Sequence, residues 1–212
     1  VVAFHSLEDR RVKRFLADAS NRPAQRALAE AIAKHGAGSP EFIPPLLAML
    51  TGPEPSVRLP AARALVTYKE QGVTERLIAI AGDRKADKAV RLVAIAGLQR
   101  VLEKQAIDAL VRLMADRDAA IGEAAAESLA KLTNIRAFGR DATRWRRWWA
   151  KSKNKPATAW LGDLADSLAR EKARLEDENA RLRRRLATAM MDTYAATPAA
   201  RRDTLLMSFL KD

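Results

Sequence analysis

Three stretches of the chain repeat one order of polar and apolar positions: EPSVRLPAARAL (54–65), DKAVRLVAIAGL (87–98) and DAAIGEAAAESL (118–129). Each opens on an acidic residue, carries an apolar residue three positions later and a Leu eight positions after that. A weaker copy, NRPAQRALAEAI (21–32), keeps the register with Asn21, Ala24 and Ile32, so that equivalent positions lie 33, 33 and 31 residues apart. A second apolar helix precedes each copy: VKRFLA, FIPPLLAMLTG, VTERLIAIAGD and AIDALVRLMAD. Turn-forming pairs such as Gly52-Pro53 and Gly82-Asp83 divide the segments. Helix pairs recurring at this period predict an all-α fold, an α-solenoid of about four hairpins in which each pair covers its neighbour's apolar face.

The residues that carry the repeat resemble the HEAT family. Its second helix opens with an acidic residue, then Val-Arg, then small residues and a Leu. Glu54, Val57, Arg58, Ala61, Ala62 and Leu65 match, as do Asp87, Val90, Arg91, Ala94 and Leu98; Asp118, Ile121, Ala125 and Leu129 match in the third good copy. The resemblance covers about residues 8–135. It implies an armadillo-like solenoid in which Arg58 and Arg91 join acidic side chains (Glu54, Asp87 and Asp118 among the candidates) in a ladder between repeats. Gln25 and Gly122 stand where the arginine belongs, which predicts a ladder incomplete at both ends.

Beyond the repeats lies FGRDATRWRRWWAKSKNKP (138–156), with three of the four tryptophans. Asp141 is placed to cap a helix that starts near Ala142. Trp145, Trp148 and Trp149 then fall at i, i+3 and i+4, the spacing of one helical face. Repeat arrays expose their last apolar face unless something covers it, and each indole buries roughly 150–250 Å². Together with Phe138, the tryptophans are therefore expected to close the solenoid. Residues 140–155 carry seven cationic side chains against one Asp, net +6. Arg140, Arg144, Arg146, Arg147 and Lys151 form a candidate patch for an anionic partner. Nucleic acid is the alternative ligand there, since interleaved aromatic and basic residues suit stacking and phosphate neutralisation.

After the linker 152–158, with Pro156, leucines recur every seven residues: Leu161, Leu168, Leu175 and Leu182. Taken as d positions they put Ala165, Lys172, Asn179 and Leu186 at a, the seam of a coiled coil. A polar Asn at a fixes register in parallel two-stranded coiled coils; Glu178 and Arg183 would attract across such a pair, whereas Glu171 and Glu176 would repel. The segment around LEDENARLRRRL resembles part of a basic-leucine-zipper protein, but Pro156 interrupts any continuous basic helix into a major groove. Thr197-Pro198 predicts the start of a terminal amphipathic helix with Leu205, Leu206, Phe209 and Leu210 on its apolar face. The expected organisation is thus a solenoid over 1–150 with its closing helix at 141–151, a linker, a zipper-like helix over 159–191, and a terminal helix over 197–212.

Composition narrows the chemistry further. The 212 residues are 48% apolar, 30% charged and formally +12, with no cysteine, which excludes disulfides, thiolate metal sites and cysteine nucleophiles. No apolar run approaches the roughly 18 residues of a membrane helix, so a soluble protein is expected, its compartment open between cytoplasm and export and its source resembling bacterial proteins. The chain starts Val-Val-Ala, as a fragment or a processed product would. Only His5 and His35 exist, neither followed by Glu, which departs from the repeated His-Glu pairs of helical-repeat di-iron enzymes. Phosphate-binding loops, nucleophile elbows and His-Glu-x-x-His helices are missing from the sequence. The outward positions of the second helices run Glu30, Arg63, Ala96, Glu127 and, one turn on, Lys34, Thr67, Arg100, Lys131. That mixed surface suits a protein ligand better than a phosphate backbone. These features predict a non-enzymatic interaction scaffold without cofactor, one that binds protein partners (acidic ones included) and forms a homo-oligomer or larger assembly through 159–212.

Overall fold

The computed structural model describes Asp18 and residues 21–36, 39–68 and 72–202. Among these residues there are nine α-helices and no strands. The helices are α1 (Arg22–His35), α2 (Ile43–Thr51), α3 (Pro55–Leu65), α4 (Val73–Gly82), α5 (Lys88–Leu98), α6 (Lys104–Leu113), α7 (Ala119–Thr133), α8 (Ala142–Ser152) and α9 (Ala157–Ala196). The helix expected over VKRFLA and the face expected at Leu205, Leu206, Phe209 and Leu210 lie outside the described residues.

Helices α2/α3, α4/α5 and α6/α7 form three hairpins. Their second helices stack in one layer in the order α1, α3, α5, α7; in the other, α4 packs on α6 and α6 on α8. Small residues set the spacing. Ala61, Ala62, Ala64 and Ala94 are fully buried beside Leu65, Leu77, Leu98 and Leu110. A Cβ at Gly97 would stand 3.4 Å from the Leu77 side chain and 3.5 Å from that of Ala62. A larger residue there would push α5 off α3 and α4.

The acidic residue that opens each copy is the N-cap of its second helix. Glu54 accepts from Ser56 N at 3.3 Å, Asp87 from Ala89 N at 2.7 Å, and Asp118 from Ala120 N at 2.9 Å. Each carboxylate satisfies a donor that a helix start leaves unpaired and meets the positive end of the helix dipole. His35 closes α1 before Gly36, whose φ of 98° suits glycine.

The chain divides into two compact units, Val1–Trp160 and Leu161–Asp212. The division cuts inside α9. That helix runs from Ala157 to Ala196, longer at both ends than the 159–191 read from the heptads. The linker expected over 152–158 shrinks to the turn between α8 and α9, because Ser152 is the buried last residue of α8 and Ala157 already opens α9. The Thr197 hydroxyl donates back to Thr193 O at 2.7 Å; a 3₁₀ turn follows at Ala199–Arg201 and Arg202 is helical, while the rest of the helix expected over 197–212 lies outside the described residues.

Candidate functional site

The arginines of the repeat share one task at the C-terminal end of the preceding helix. Arg58 Nε donates to Gly52 O at 3.0 Å and Arg91 Nε to Ala81 O at 2.9 Å. Both carbonyls lie where a helix end leaves acceptors unpaired. Gln25, at the same place in the first copy, donates to Asp18 O at 3.0 Å. Gly122 differs: a Cβ there would lie 3.1 Å from Met114 O, so a side chain fits only if the end of α6 gives by a few tenths of an ångström.

Cations on one second helix meet carboxylates at the start of the next repeat. Arg22 reaches Glu54 at 2.8 Å, Arg58 reaches Asp87 at only 3.9 Å, and Lys88 reaches Asp118 at 2.9 Å. The Lys88 hydrogen bond holds the Asp118 carboxyl below the usual carboxylate range. The buried contact is Arg91–Asp116 at 2.6 Å, with both side chains 6% exposed. Arg91 therefore pairs with a residue of the turn before α7 and not with the repeat's own Asp118. Asp116 also accepts from Asp118 N at 2.9 Å.

Helix α8 stacks on α6 where the next hairpin's first helix would lie. Asp141 caps it, accepting from Thr143 N at 2.9 Å and Arg144 N at 3.0 Å. Trp145 is fully buried, and its Nε1 donates to Gly139 O at 3.0 Å. Phe138 meets its ring edge-on at 5.1 Å and Trp148 at 5.7 Å; Trp148 tilts against Trp149 at 5.9 Å. Trp149, also buried, donates from Nε1 to Asp108 Oδ1 at 2.7 Å. Lys104 of α6 fastens the other end, donating to Lys153 O at 2.9 Å and to Lys155 O, carbonyls just past α8. Its ammonium lies 6.0 Å from the ring of Trp160, which is buried in the first turn of α9. Asp108, Lys104 and Trp160 had no motif to mark them. Lys104 and Asp108 lie 49 and 41 residues before the partners they hold, Lys153 and Trp149, so no local spacing announces them.

The outer face of α8 is cationic. Arg140, Arg144, Arg146, Arg147 and Lys151 are all exposed. Arg140 pairs with Glu123, Arg144 with Asp141 at 3.3 Å, and Arg146 Nε bonds Ala142 O at 3.2 Å. Beside Arg140 a groove of 440 Å³ runs over Ala120, Ala124 and Ala130, flanked by Glu123 and Glu127. Along the second-helix layer Glu30, Lys34, Arg63, Arg100, Glu127 and Lys131 are exposed, Ala96 and Thr67 less so. Glu30 and Glu127 are paired with Arg26 and Lys131 on their own helices. Among the described residues no cluster of His, Asp or Glu is arranged to hold a metal ion, and no helix is long and apolar enough to cross a membrane.

In the second unit, α9 presents Leu168, Leu175, Leu182 and Leu186 on its surface, 41–62% exposed, with Leu161 at 44%. Asn179 turns its amide inward along the helix, Nδ2 donating to Leu175 O at 2.9 Å. Arg174 bridges Glu171 at 2.7 Å and Glu178 at 3.5 Å; Lys172 approaches Glu176 at 3.7 Å.

No curated protein matches the chain. A family model described as HEAT repeats matches residues 11–88 and 74–139, together more than half of the sequence. The stacked hairpins, the capped second helices and this match agree, and the chain belongs to the HEAT-repeat family.

Proposed function

We propose that the protein is a non-enzymatic scaffold: the repeat array offers a fixed surface to a protein partner, and α9 mediates assembly. HEAT repeats commonly serve protein interaction and are typically non-catalytic. The observation that carries the assembly role is the row of leucines at heptad spacing that α9 leaves 41–62% exposed. An isolated helix gains nothing from such a row, whereas a partner helix would bury it.

Light scattering tests this reading. The wild-type chain has a mass above that of one chain, and Leu168→Lys with Leu175→Lys returns it to one chain; unchanged mass refutes the assembly role. Burial of Trp145 and Trp149 argues against base stacking by the α8 segment, and Arg140 and Arg144 are already paired to Glu123 and Asp141. Labelled DNA and RNA at two salt concentrations therefore bind weakly. Tight binding, steeply salt-dependent and lost in Arg144/Arg146/Arg147→Ala, would replace the scaffold with a nucleic-acid binder.

A further inference from the structure

The charges of α9 are sorted by halves. Residues 161–178 hold six acidic and three basic side chains, net −3; residues 179–196 hold four arginines and one Asp, net +3. The acidic half is partly neutralised along its own helix by Arg174 and Lys172. Among the described residues, Arg181, Arg183, Arg184 and Arg185 have no carboxylate partner. A block of unpaired arginines beside an exposed leucine row calls for an acidic helix, and the chain contains one of matching length.

We propose that α9 pairs with α9 of a second copy in antiparallel orientation, the two-fold axis passing between Ala180 and Arg181. This rests on the assembly role proposed above and adds the partner and its direction. In this register the core layers stack Leu175 on the copy's Leu186 and Asn179 on the copy's Leu182. The flanking positions, equivalent ones meeting in an antiparallel pair, set Glu176 against Arg183 and Glu178 against Arg185, each twice by symmetry. Sliding by one heptad either way brings like charges together on at least one flank.

The parallel alternative stacks five Leu pairs, Leu161, Leu168, Leu175, Leu182 and Leu186, but lays the two arginine blocks abreast, and the two acidic blocks likewise. It adds Lys172 against Lys172 in the seam and Glu171 against Glu176 on both flanks. Its favourable devices are an Asn179–Asn179 pair, whose amide also donates to Leu175 O, and Glu178 against Arg183 on both flanks, which at most offsets the Glu171–Glu176 repulsion. Opposed charges decide orientation here because aligned like blocks repel over the whole length of each half.

The full chain tests the proposal, and the absence of cysteine makes single-site labelling clean. A spin label on Asp166→Cys reads the direction. At 1.5 Å per residue the two labels lie about 44 Å apart in the antiparallel dimer and within about 25 Å in a parallel one. Glu176→Arg faces Arg183 in the first case and Glu171 in the second. The expected result is a dimer with the long separation, weakened by salt, whose Kd rises roughly five- to tenfold in Glu176→Arg and recovers when Arg183→Glu is added. A dimer with the short separation, or one tightened by Glu176→Arg, overturns the antiparallel pairing while leaving assembly intact. A single-chain mass at every concentration overturns both.

Discussion

Replacing Asp116 by Ala removes the one acid that reaches Arg91 inside the array. The pair measures 2.6 Å, both side chains are 6% exposed, and Arg91 is fixed from behind by its bond to Ala81 O. In the variant the guanidinium stays buried with a carbonyl but no counter-charge. Breaking a buried pair on one side costs about 3–5 kcal/mol. Because a groove lined by Gly82, Arg84 and Asp116 brings water to its rim, about 3 kcal/mol is expected, roughly 10 °C in Tm for a unit of this size. The Arg91 hydrogen bond holds the Asp116 carboxyl below its ordinary value. A carboxyl whose pKa is depressed on folding contributes its stability above the unfolded pKa, about 3.9, and loses it as pH falls through the folded one. The gap between wild type and Asp116→Ala is therefore full at pH 7, narrows below about pH 4 and closes in stronger acid. Urea unfolding followed by circular dichroism at several pH values measures it. Arg91→Met combined with Asp116→Leu removes both charges and recovers at least half of the loss. A single variant costing under about 1 kcal/mol, or a double variant no better than the single, would refute the reasoning.

Trp145→Ala empties a fully buried site and costs about 3–5 kcal/mol by calorimetry, without reducing the mass that α9 confers. Trp149→Phe leaves Asp108 Oδ1 without its indole donor and costs about 1–2 kcal/mol, seen as an earlier urea midpoint. Gly122→Arg restores the family pattern yet destabilises by about 1–3 kcal/mol, since its Cβ meets Met114 O. Gln25→Arg, at the equivalent place in the first copy, lowers the Tm by no more than 2 °C.

The solenoid could be read from the sequence because its small and apolar residues recur at one register, and burial enforces that register at every repeat. Asp141 could be read for a local reason: a cap acts on donors two and three residues away. The contacts that join repeats were less legible. Asp116 lies 25 residues from Arg91, and Asp108 lies 41 from Trp149, so no local spacing announces either pair. Glu54, Asp87 and Asp118 look in sequence like rungs of a ladder, and in the structure each also caps its own helix. Gln25 and Gly122 look alike as departures from the pattern. One keeps a hydrogen bond to a backbone carbonyl, and the other marks a close backbone approach that only coordinates reveal.

The grip of α8 on the array comes chiefly from α6, through Asp108, Lys104 and the shape of one apolar surface, with Arg140 just ahead of it held by Glu123 of α7. A duplicated α6–α7 hairpin spliced in ahead of Arg136 would hand the terminal helix an identical berth. The array can thus grow or shrink by whole hairpins while its end piece stays unchanged, so reach along the surface becomes a trait that gene duplication can tune without inventing a new terminus.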